Sequence, residues 1–176
     1  MDRRQLLTNC LLAIPAYALA KEEPVKLRPH HLLDILTGYG NGEKFEPHPY
    51  GHALHIIAPM VREHPTLRVK FVVAADDICA PCKHLRPDGT CDDVLSQLSP
   101  PISKQEYNDK LDRRLFAYLN LRSGATMTVR AFCKLVNRRV PGIEKICTHP
   151  KEDEQRRLAG MTKGLQMFGI RKVRPS

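Results

Sequence analysis

The sequence predicts a mostly helical α+β fold: a single small domain with little sheet and a cysteine-containing loop. Three observations carry this reading. Five segments repeat apolar residues at helical spacing, one short run alternates as a strand does, and the cysteines gather where prolines and glycines forbid regular structure. The chain has 176 residues, 42% of them apolar, so a single domain can bury roughly two-thirds of its unfolded surface without cross-links. Tryptophan is absent and aromatics are only 6%, which leaves the core to Leu, Val, Ile and Ala.

Residues 1–20 read as a removable signal segment, and 21–176 as the mature domain. Arg3 and Arg4 open a charged start, an apolar run follows from Leu11 to Leu19, and Ala18-Leu19-Ala20 matches the small-x-small cleavage pattern. Arg3-Arg4-Gln5-Leu6-Leu7 also resembles a twin-arginine signal. The run is too short to anchor in a bilayer, which takes about 20 apolar residues. The expected location is periplasmic or secreted.

Along the mature chain, Lys21 to Pro29 reads as a charged lead and His30 to Leu36 as a helix begun by Pro29. Gly38, Gly40 and Gly42 predict a loop, extended by Pro47 and Pro49. Gly51 to Glu63 is helical through Leu54, Ile57, Ala58 and Val61, with Pro59 expected to kink it. Leu67 to Ala74 is the strand. Asp76 to Cys91 is a loop broken by Pro81, Pro87 and Gly89. Ser103 with Glu106 forms a capping box for a helix to about Leu121. Thr128 to Arg139 and Glu152 to Phe168 are the last helices, separated by Pro141-Gly142.

The net charge is +9. Asp2, Arg3 and Arg4 leave with the signal carrying +1, so +8 remains. Such a charge suits an acidic protein or redox partner. Arg130, Lys134, Arg138 and Arg139 form the best local cluster, but no aromatics alternate with them as base-stacking platforms would. There is no strong nucleic-acid signal and no transmembrane anchor once the signal is gone.

Five cysteines follow the signal: Cys79, Cys82, Cys91, Cys133 and Cys147. Cys79-Ala80-Pro81-Cys82 can aim two sulfurs at one point, and Cys91 can return to it through the Asp88-Gly89 turn. Three readings stay open. The first is a metal site, zinc or an iron–sulfur cluster, held by Cys79, Cys82, Cys91 and a fourth ligand. Cys147 leads for that place, then His31, His84 or Asp34. The second is structural disulfides, which five cysteines cannot complete. The third is thiol–disulfide exchange at Cys79 and Cys82, which needs a helix beginning at the first cysteine. Cys133 lies among Ala131, Phe132, Leu135 and Val136 and reads as core.

Arg28-Pro29-His30-His31-Leu32-Leu33 and Asp76-Asp77-Ile78-Cys79-Ala80-Pro81 resemble the motifs of the domain-of-unknown-function family 1284. The resemblance is clearest over Leu27 to Asp93 and implies iron–sulfur binding. Asp34 stands where members often carry a cysteine. Of the eight histidines, His31 is expected to line the site and His30 to cap or hydrogen-bond in the core. Asp76 and Asp77 are expected to accept hydrogen bonds from loop amides. His52 and His55 read as polar positions on a half-buried helix. No nucleophile-elbow, zincin, P-loop or dinucleotide motif is present. The function expected is an exported metal- or iron–sulfur-binding protein, for electron transfer or metal handling. Its alternatives are a thiol–disulfide oxidoreductase and a disulfide-stabilised interaction domain with a basic surface.

Overall fold

A computed structural model describes residues 23–147, 149 and 151–170. Residues 1–20, read from the sequence as a signal segment, lie outside the described residues. The chain runs β1 (Val25–Leu27), α1 (Pro29–Asn41), α2 (Leu54–Glu63), β2 (Arg68–Phe71), β3 (Val94–Leu95), β4 (Ile102–Ser103), α3 (Lys104–Leu119), β5 (Thr126–Thr128), α4 (Val129–Asn137), a 3-10 turn (Ile143–Ile146) and α5 (Glu154–Met167). It is α+β and mostly helical, in one small domain. Among the described residues no helix is long and apolar enough to cross a membrane.

The alternation of Val69 and Phe71 with Arg68 and Lys70 makes β2 the centre of a three-stranded sheet, ordered β1-β2-β5. β1 pairs parallel to it, Leu27 opposite Phe71, and β5 pairs antiparallel, Val69 opposite Met127. Phe71 stacks on Phe132 of α4 with ring centroids 4.8 Å apart, both rings fully buried in the core. β1 lies within the stretch read from sequence as an irregular lead. Three residues are too few to show alternation, and the strand exists because β2 supplies its hydrogen bonds.

α1 continues to Asn41, so the loop expected at Gly38–Gly42 is a correction. Glycine lowers helix propensity, but here it admits a neighbour. A Cβ on Gly40 would collide with the carbonyl of Gly160, and one on Gly164 with the carbonyl of Leu36. The glycines let α1 and α5 approach backbone to backbone, and that packing outweighs the propensity. Gly42, at φ 76°, is where the helix ends. α2 is one helix with Pro59 inside it. The Ser103 cap is as read: its side chain accepts from the Glu106 amide at 3.3 Å.

Candidate metal centre

The site grows from the β1–α1 junction. Leu27 ends β1 and Pro29 starts α1, so Arg28 lies between them with its side chain carried inward, 3% exposed. Its Nη1 donates to Asp112 Oδ2 at 2.7 Å and its Nη2 to Asp109 Oδ1 at 2.8 Å, both on α3. Burial opposes the guanidinium's charge, but the two carboxylates raise its pKa above the ordinary value. His30 is a core hydrogen-bonder, Nδ1 lying 2.8 Å from Asp112 Oδ1.

Asp76 joins this junction to the cysteine loop. Its Oδ2 accepts from the Arg28 amide at 2.7 Å and lies 2.7 Å from His31 Nδ1. Its Oδ1 accepts from the Ile78 and Cys79 amides, each at 3.1 Å. Asp77 accepts from the Lys26 amide at 2.8 Å. Asp76 thus serves the loop amides as expected, whereas Asp77 accepts from strand β1. Burial works against the Asp76 charge, but His31 and the amides hold its carboxyl well below the ordinary range. A carboxylate only accepts, so His31 Nδ1 carries the proton and Nε2 is the nitrogen left for another partner. Burial opposes protonation of His31, and Asp76 overrides it, raising the imidazole pKa. Burial and then the Asp76 charge push the Cys79 thiol up to about 12.

Ligating atoms of His31, Asp76 and Cys79 lie within 4.8 Å of one another. Among the described residues this is the one such group of three. Cys82, Cys91 and Cys147 are not drawn into it, yet all three line the same cleft of about 820 Å³ as His31 and Cys79. Cys91 reaches the cleft as expected: Leu85 bridges Cys91, and the Asp92 amide donates to the His84 carbonyl at 3.0 Å. The Cys91 amide donates to Gln105 Oε1 at 2.9 Å. The five described cysteines are all free thiols. Cys133 is fully buried in the core, as read.

The lesser candidates divide. Asp34 Oδ1 accepts from Arg157 Nη2 at 3.0 Å. His84 Nδ1 lies 2.8 Å from Asp92 Oδ1 at the cleft wall, its ring against Tyr50. His52 also lines the cleft, its ring stacked on His48 at 4.2 Å, whereas His55 does not line it. Asp109, Asp112 and Gln105 were not found from sequence. They lie on an amphipathic helix where charged residues read as surface, and what marks them is contact with residues 14 to 84 positions away.

These features define a small α+β domain with a histidine–carboxylate pair and a cysteine loop facing one cleft. A family model described as "Protein of unknown function (DUF1284)" matches residues 48–151, more than half of the chain, and the protein belongs to that family. The matched span holds Asp76, Cys79, Cys82, Cys91 and Cys147. Arg28 to His31 precede it. No curated protein and no solved structure gives a match.

The donor set suits a transition metal. Metal-bound histidines donate their second ring N–H to a carboxylate, as His31 Nδ1 does to Asp76. Asp76 already accepts four hydrogen bonds, so it acts as the orienting group beside His31 and Cys79. Imidazole and thiolate together suit zinc or iron better than calcium or magnesium.

Proposed function

We propose that this protein binds a transition metal, zinc or an iron–sulfur cluster, in the cleft between α1, α3 and the cysteine loop. The carrying observation is the group His31–Asp76–Cys79, whose histidine is oriented by a carboxylate and whose ligating atoms lie within 4.8 Å. Cys82, Cys91 and Cys147 line the same cleft and are the remaining candidate ligands. Bound there, the metal supplies Lewis acidity or electron transfer, and the protein's role is metal handling or redox transfer after export through the N-terminal segment. An acidic protein or redox partner suits the exposed basic face of Arg130, Lys134, Arg138 and Arg139.

The state of Cys79 favours metal binding over thiol–disulfide exchange. An exchange nucleophile needs a depressed pKa at a helix start, whereas Cys79 lies in a turn with its thiol pushed up to about 12. A metal overcomes that barrier, because coordination deprotonates the thiol. Changing Cys79, Cys82, Cys91 or Cys147 singly to Ser tests the reading, with metal content measured on protein purified without added metal. Each variant loses metal while Cys133→Ser retains it. Full metal content in Cys79→Ser contradicts the assignment.

A further inference from the structure

Three of the proposed ligands, His31, Cys79 and Cys91, are held by two separate hydrogen-bonded groups. His31 and Cys79 are held by Asp76, while Cys91 is on the returning arm of the hairpin beyond it. One hydrogen-bonded chain of side chains links these groups through α3. The Cys91 amide donates to Gln105 Oε1 at 2.9 Å, and Gln105 Nε2 donates to Asp109 Oδ1 at 2.8 Å. Arg28 Nη2 donates to that same oxygen at 2.8 Å. The Arg28 backbone amide donates to Asp76 Oδ2, the oxygen that faces His31. Arg28 therefore touches both halves, one through its guanidinium and one through its amide.

We infer that Gln105 is the positioning residue that holds Cys91 in register with His31 and Cys79, acting through Asp109 and Arg28. The inference rests on the metal reading above and deepens it. Three points carry it. Gln105 accepts from the amide of the candidate ligand itself, so a change at Gln105 acts directly on Cys91. It begins the relay from the second position of α3, where the Ser103 cap fixes the first turn and the neighbouring Lys104 bonds Asp93 of the same arm, so its backbone is held within reach of Cys91. Its amide is used at both ends, Oε1 towards Cys91 and Nε2 towards Asp109, and this fixes which way it faces. Carboxylate and amide partners behind ligands commonly shift metal affinity by about 10–100-fold.

The test uses the full chain, reduced and stripped with chelator, then titrated with Co(II). Thiolate-to-cobalt absorption reports the number of sulfurs bound, and pulse alkylation with peptide mass mapping reports which thiols are shielded. In the unmutated protein Co(II) shields Cys79 and Cys91. In Gln105→Ala, Cys91 becomes reactive while Cys79 stays shielded, the charge-transfer band weakens, and the dissociation constant rises by about 10–100-fold. Gln105→Glu keeps an acceptor for the Cys91 amide but loses the Nε2 donor and sets its carboxylate against Asp109, so shielding of Cys91 stays below that of the unmutated protein. Shielding of Cys91 in Gln105→Ala equal to the unmutated protein overturns the inference. So does joint loss of shielding at Cys79 and Cys91 with a lowered melting temperature, which marks a general folding role. Failure of the unmutated chain to bind Co(II) overturns the metal reading itself, and with it this one.

Discussion

Asp112→Asn removes one charge from the buried centre of the fold and almost nothing from its volume. Asp112 is fully buried and accepts from Arg28 Nη1 at 2.7 Å and from the His30 amide at 3.2 Å, with His30 Nδ1 at 2.8 Å. An asparagine offers one carbonyl oxygen where the carboxylate offers two. If that oxygen faces Arg28, the new NH2 meets the His30 amide, donor to donor. If it faces His30, the NH2 meets the guanidinium. In both arrangements Arg28 keeps only Asp109 as an anionic partner. Removing one member of a buried ion pair costs about 3–5 kcal/mol, and the surviving Asp109 contact places this variant at about 3 kcal/mol. For a domain of this size that lowers the melting temperature by about 6–12 °C. Urea unfolding at neutral pH measures the loss, with an unchanged slope showing that compactness is kept. Asp109→Asn is the comparison: Asp109 is 19% exposed, so the same change there costs clearly less. A loss below about 1 kcal/mol in Asp112→Asn, or an equal loss in both variants, refutes the view that Asp112 is the main counter-charge of Arg28.

Gly164→Ala directs a methyl at the Leu36 carbonyl and forces α5 away from α1, so it destabilises by about 1–3 kcal/mol or more, read as a lowered urea midpoint. Wild-type stability in this variant would show that the helices do not need their close approach. The His31–Asp76 pair predicts a pH window for the metal-free protein. Asp76 is depressed, so its contribution is present above about pH 4 and is lost as pH falls. His31 is raised, so its contribution is present below about pH 6.5 and is lost as pH rises. The stability gap between chelator-treated wild type and His31→Gln is therefore widest between those values, and a gap independent of pH contradicts the pairing.

What could be read from the sequence was local. Ser103 and Glu106 are three apart and announce the start of α3, and the Val69–Phe71 alternation announces β2. Asp76 before a turn announces an amide acceptor, and it accepts from Ile78 and Cys79. What could not be read depends on partners distant in the chain. Gly40 breaks a helix by propensity but permits one when Gly160 faces it. β1 needs β2, and Arg28 needs two carboxylates more than 80 residues away. The cysteines were legible as types and spacing. That His31 joins Cys79 in one group follows from Asp76 gripping both, a link that spans 45 residues.

The most direct measurement of the central claim is metal content with thiol state, taken on protein isolated from cells without added metal or reductant. The account predicts bound zinc or iron, with an optical spectrum identifying a cluster if iron is present. It also predicts that Cys79 stays shielded from alkylation until chelator is added, with at least three thiols freed by it. Metal-free protein with Cys79 and Cys82 joined in a disulfide would contradict it.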